Sequence, residues 1–116
     1  MLVARQTLSD MAHSSFRLSH HAVADLEGIA EYLRHRSPGA ACRVVDALHD
    51  TFEMLADNHQ LGTSVEEIRA DLRMFIPFRP ADKYVVLYYQ VPDGVLISDV
   101  IHSARDWPGM FASGER

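Results

Sequence analysis

Two amphipathic stripes meet at Ser37-Pro38 with almost nothing between them, and no other feature constrains the fold as tightly. Val23, Leu26, Ile29, Ala30 and Leu33 recur at steps of three and four, which is one apolar face of a helix. Ser19 is placed to cap its start by accepting from a first-turn amide, and Asp25 and Glu27 lie early, where the helix dipole favours negative charge. Arg34 and Arg36 close that helix with positive charge. Pro38 then suits the first position of a second helix, where a missing N–H costs nothing. The second stripe is Ala41, Val45, Leu48, Phe52 and Leu55, with Arg43, Asp46, His49, Asp50, Glu53 and Asp57 opposite. It ends near Asn58, with Leu61-Gly62 as a stop signal. So short a connection forces an antiparallel hairpin. Two such stripes cannot bury each other completely, so a sheet has to cover them.

The remaining segments supply one. Phe16-Arg17-Leu18 reads as a short strand. Leu72, Met74 and Ile76 alternate with Arg73, Phe75 and Pro77, a strand with one solvated face. Tyr84 to Tyr89 is apolar throughout and β-rich, as a central strand should be. Pro92-Asp93-Gly94 is a tight turn with Gly94 free to take positive φ, and Val95 to Ile101 is the hairpin partner. The expected architecture is α+β: an N-terminal strand, then an antiparallel two-helix hairpin packed on a small antiparallel sheet, in the order β-α-α-β-β-β, with a short C-terminal tail. Residues 1–15 are polar and aperiodic and read as a flexible extension in which Met11 offers an alternative start; 16–111 form the domain and 112–116 the tail.

Composition narrows the function classes. The chain has 116 residues, 47% of them hydrophobic, and a net charge of −5, which disfavours a strongly basic nucleic-acid binder. Its apolar runs are far too short for a membrane span or a signal-peptide core, so the expected location is the cytoplasm. The lone Cys42 excludes an internal disulfide and, lying near the apolar stripe of the second helix, reads as a small hydrophobe. His20 and His21 are adjacent and diverge on a helix, and His49 between Asp46 and Glu53 reads as part of a solvated face, so no metal or other cofactor is expected. There is no G-x-S-x-G elbow and no phosphate-cradling glycine loop.

Charge is nevertheless segregated. Ser19 to His59 is acidic, whereas Arg69, Arg73, Arg79 and Lys83 face only Asp71 and Asp82 in the strand region. The tail places His102 at a strand end, followed by Arg105 and the sole tryptophan, Trp107. That arrangement suits either an acid/base with a phosphate clamp or a structural cap in which Trp107 and Phe111 fold back on the core, and the spacing favours the cap.

Taken together, several of these segments resemble a known family. Ser19-x-x-Ala22-x-x-Asp25-Leu26-x-x-Ile29-x-x-Tyr32, then Ala41, Val45, Phe52-x-x-Leu55-Ala56 and Leu61-Gly62, are similar to the helical hairpin of ParE/RelE toxins. So are Tyr84 to Tyr89, the Asp93-Gly94 turn and Ile97-x-x-Val100-Ile101-His102-x-x-Arg105-Asp106. The resemblance spans Phe16 to about Phe111 and implies the toxin of a type II toxin–antitoxin pair, of the kind associated with plasmid stabilisation. It implies a hetero-oligomer with a ParD-like antitoxin encoded by a neighbouring gene, which would link the toxin to operator DNA. RelE-like members are ribosome-dependent messenger RNA endonucleases that resemble each other in an arginine on the central strand. Here that position is Val86, and Lys83 is the only lysine. ParE-like members lack such a catalytic set and are associated with inhibition of DNA gyrase, so the resemblance leans to that branch, with no catalytic residue.

On this reading the expected target contacts are Arg73, Arg79, Lys83, Arg105 and Trp107, and the expected antitoxin contacts are Leu26, Ile29, Leu33, Met74, Phe75 and Phe78. The alternative is a divergent ribonuclease using His102, Arg79 and Arg105 with Tyr84 or Tyr88. A third reading is a degenerate member that binds its antitoxin and co-represses without poisoning anything.

Overall fold

The computed structural model describes residues 15–116, so the expected extension, Met11 included, lies outside the described residues apart from Ser15. The elements are β1 (Ser15–Leu18), α1 (His20–Arg36), α2 (Pro38–Asp57), β2 (Thr63–Ser64), β3 (Arg73–Phe75), β4 (Tyr84–Val91), β5 (Gly94–His102) and α3 (Trp107–Ala112). Ser37 joins the helices by serving both. Its N–H donates to the Leu33 carbonyl (2.7 Å) to close α1, and its Oγ accepts from the Ala40 amide (3.3 Å) to open α2. Pro38 follows in the first turn, as its fixed φ favours.

The buried faces of both helices are rotated slightly from the expected stripes. On α1, Ala22 is buried and Leu26, Ile29 and Leu33 pack against the core, while Val23 is 41% exposed. On α2 the core positions are Ala41, Val44, Leu48, Phe52 and Leu55; Val44 is more deeply buried than Val45, and Cys42 is exposed rather than packed. Asp25 is not a first-turn dipole partner either; its carboxylate turns inward to β5.

The sheet has five strands in the order β1-β5-β4-β3-β2, with β4 central. It is mixed rather than antiparallel, because β1 runs parallel to β5 (Phe16 beside Val95, Leu18 beside Ile97) while the other pairs are antiparallel. After α2 the chain enters the far edge of the sheet at β2 and reverses direction at each step through β3 and β4 to β5, whose outer edge β1 fills in parallel. β2 was not foreseen because two polar residues carry no periodicity. After β5 the chain forms α3, a helix absent from the expected architecture, which reaches the first residue of the expected tail at Ala112 and is capped by Asp106, whose carboxylate accepts from the Gly109 amide (3.1 Å).

Both sheet faces are covered, which corrects the expected solvated face of β3. On the helix side, Val44, Leu48, Phe52, Val86, Tyr88, Val95 and Ile97 form one core. On the other side, Val65, Leu72, Val85, Leu87, Ile101, Met110 and Phe111 form a second, beneath α3 and the 65–72 segment. Met74 and Phe75 therefore each have a core to lean on and are half-buried, leaving Ile76 (50% exposed) and Phe78 (69% exposed) as the open apolar residues of that region. Strand β5 carries a bulge at Ser98: Leu87 pairs with Asp99 and Tyr88 with Ile97. The extra residue lets both Ile97 and Val100 face the helices.

Candidate functional site

Beyond Ile97, β1 has ended and the edge of β5 would be open. The start of α1 closes it. Ser19 donates its N–H to the Ile97 carbonyl (2.9 Å) and its hydroxyl to the Ser98 carbonyl (2.6 Å), and Asp25 Oδ2 accepts from the Val100 amide (2.9 Å). The Arg116 guanidinium completes the arrangement, donating to Asp25 Oδ1 (2.6 Å) and Oδ2 (2.9 Å) and to Asp99 Oδ1 (2.6 Å). All three side chains are largely buried, and the two carboxylates raise the Arg116 pKa above its already high ordinary value. This cluster satisfies groups that would otherwise be orphaned at a sheet edge.

Alongside it, α1 and the ends of β4 and β5 enclose a groove of about 590 Å³. Its apolar lining includes Ile29, Leu33, Val100 and Ile101, and its polar lining Tyr32, Arg36, Lys83, Tyr84, His102 and Arg105. Arg36 is held in place by Tyr32: its Nη1 donates to the Tyr32 hydroxyl (2.9 Å) and its guanidinium lies 5.4 Å from the ring centroid. Tyr84 and His102, register partners on β4 and β5, meet edge to face at 5.4 Å. Burial pushes the Tyr84 hydroxyl pKa upward, with a smaller contribution from Tyr32. His102 Nδ1 accepts from the Ala104 amide (3.1 Å), which in the neutral ring leaves the proton on Nε2. Arg105 has Glu115 at 3.7 Å, with both side chains exposed.

The groove thus gathers Lys83, Tyr84, His102, Arg105, Ile29 and Leu33 from the residues singled out in the sequence. It does not gather the others. Arg73, half-buried on β3, donates Nη2 to the carbonyls of Gln60 (3.1 Å) and Gly62 (2.5 Å), tying down the loop after α2. Trp107 packs on the second core, edge to face with Phe111 at 6.5 Å. Arg79 is exposed and is not among the groove-lining residues. Phe78 meets Phe75 at 6.0 Å, away from the groove lining, and Leu26 packs on the helix-side core. Sequence reasoning missed Gly28, Tyr32 and Arg36 as site residues, although Asp25, Gly28, Tyr32 and Arg36 recur at three- and four-residue steps along one side of α1. Among the described residues, no group of three or more His, Cys, Asp or Glu is placed to hold a metal ion, and no helix is long and apolar enough to cross a membrane.

Comparison with known proteins agrees with this geometry. The model of the ParE toxin of the type II toxin–antitoxin system, parDE, matches residues 16–107. Toxin RelE3 of Caulobacter vibrioides is 33% identical over 89 residues, covering 77% of this chain and 94% of that protein. A solved structure described as a chromosomal ParDE TA system from P. aeruginosa shares the fold, with a TM-score of 0.64 at 16% identity over 78% of this chain and 96% of that one. A helical hairpin on a sheet whose edge it also closes, matched by the family model from the first strand to the start of the last helix, places this chain in the ParE/RelE superfamily of type II toxins.

Proposed function

We propose that the protein is a ParE-like toxin that acts by occupying a cellular target, DNA gyrase, and is neutralised by a ParD-like antitoxin in the cytoplasm. The observation that carries this reading is the position of Val86. It stands where RelE-like nucleases resemble one another in a strand arginine, and its side chain is fully buried in the helix-side core. A developing charge on a scissile phosphate would have no cation there, a loss of stabilisation on the order of a few kcal/mol.

The state of His102 supports the same reading. With Nδ1 accepting from a backbone amide, the neutral ring presents Nε2 as a donor, so a base role would require this hydrogen bond to break. Arg79, its supposed companion, does not line the groove that holds His102 and Arg105. Target contact is assigned to the exposed cations Lys83, Arg105 and Arg79, with Arg73 and Trp107 acting through the surfaces they brace. Antitoxin contact is assigned to the partly open Leu26, Ile29 and Leu33 and to the patch of Met74, Phe75 and Phe78.

The test is induced expression with plasmid supercoiling and translation followed together, and purified protein added to a gyrase supercoiling reaction. Supercoiling should fail first, and the purified protein should inhibit the reaction. Early translation arrest with transcripts cut inside ribosomes, abolished by His102→Ala, would instead establish a nuclease.

A further inference from the structure

The groove beside α1 has a charge opposite to that of the chain around it. The protein carries a net charge of −5, yet Arg36, Lys83 and Arg105 all line this groove. The one carboxylate in its lining, Asp25, is already paired with Arg116, and Glu115, 3.7 Å from Arg105 with both side chains exposed, offsets only that one cation. Between the cations, Ile29 and Leu33 offer an aliphatic floor.

Gly28 supplies an independent observation. It sits in the middle of α1, where glycine is less stable than alanine because of the backbone entropy it loses. A Cβ built there meets nothing within 4 Å, so no contact inside the protein requires glycine at that position. Gly28 lines the groove, where a missing side chain allows another backbone to come close.

We propose that this groove is the docking site for an acidic segment of the antitoxin, its carboxylates paired with Arg36, Lys83 and Arg105, one apolar side chain on Ile29 and Leu33, and its backbone against Gly28. This rests on the toxin–antitoxin reading above. A peptide suits the site better than a nucleic acid: the floor is aliphatic rather than a stacking platform, and an acidic protein surface repels a long polyanion beyond the groove. Because Lys83 and Arg105 are also assigned to the target, the antitoxin neutralises by direct occlusion.

The probe is the recombinant product of the small reading frame adjacent to this gene, titrated against the full chain by calorimetry. For Lys83→Glu/Arg105→Glu, affinity should fall at least tenfold, and binding to the wild type should weaken as salt rises. Gly28→Leu should weaken binding at least tenfold without lowering the thermal midpoint, and Gly28→Ala should raise that midpoint by a few degrees. Arg43→Glu, exposed on α2, is the control and should bind normally. If the antitoxin binds wild type, Gly28→Leu and the charge-reversed variant equally, it docks elsewhere and the groove assignment is wrong while the toxin–antitoxin reading stands. If the wild type binds no such partner, both fall. Binding of a twelve-residue oligouridylate to the full chain that is lost in Lys83→Glu/Arg105→Glu, while the antitoxin binds that variant as it binds the wild type, would overturn the peptide assignment in favour of RNA.

Discussion

The Tyr88 hydroxyl donates to the His59 carbonyl (2.8 Å) and accepts from the Gly62 amide (2.9 Å), joining the central strand to the loop that follows α2. Tyr88 and Gly62 are both buried, so the Gly62 amide would be left without a partner if the hydroxyl were removed. Tyr88→Phe should therefore cost about 1–3 kcal/mol, read as a lower urea midpoint with an unchanged slope. Gly62 is the other half of that contact: a Cβ there would lie 2.5 Å from the Tyr88 hydroxyl and from the Met74 carbonyl. Tyr84 gives a pH prediction. Its folded-state pKa is raised by burial, so its contribution to stability is full below about 10, the value for an unfolded tyrosine, and is lost as pH rises through the folded-state value. Urea midpoints measured from pH 8 to 11 should fall at the alkaline end, and Tyr84→Phe should flatten that fall. At this scale the sequence was partly legible. The turn predicted that Gly94 takes positive φ, and it does (152°), but not that the Ser15 backbone lies against it, since a Cβ would be 1.6 Å from the Ser15 carbonyl oxygen. That second reason depends on residues far apart in the chain.

Among the elements, α1 has the most unusual role, because it both packs on the sheet and finishes its edge. The ion cluster that fastens it has side-chain exposures of 14% for Arg116, 10% for Asp25 and 2% for Asp99. Arg116→Ala would leave two buried carboxylates without their cation and should destabilise by about 3–5 kcal/mol in denaturant titration. Replacing all three together, with Asn at 25 and 99 and Met at 116, should recover most of that loss, since desolvation of the charges then no longer opposes folding. Helix positions, the Ser37-Pro38 junction and the β4–β5 hairpin were legible from periodicity and capping chemistry, which are local. The parallel pairing of β1, the cluster of residues 25, 99 and 116, and the covered second face were not. Each joins segments separated by tens of residues, and neither spacing nor propensity carries that information.

For the molecule as a whole, the candidate site was legible as a list of residue types and illegible as a place. Lys83, His102 and Arg105 read as strand-end and tail residues, and Arg36 as a helix terminator; the fold brings all four to one groove, while Arg73 and Trp107 turn to structural roles. Charge segregation between a helical and a strand side is therefore too simple, because α1 contributes a cation to the positive region. Arg79→Ala combined with Arg105→Ala should relieve growth inhibition on induction while leaving circular dichroism and the thermal midpoint unchanged, since both residues are exposed. A folded double variant that remains fully toxic would move target contact to another surface. The pairing of β1 with β5 also bears on synthesis. The leading strand has no neighbour to zip against until Gly94 and the residues after it have emerged from the ribosome, so a nascent chain that stalls earlier leaves its first strand unmatched and its sheet open. That edge is thus finished by the two segments of the sheet that lie farthest apart along the chain, and truncation before Gly94 should leave β1 without a partner strand.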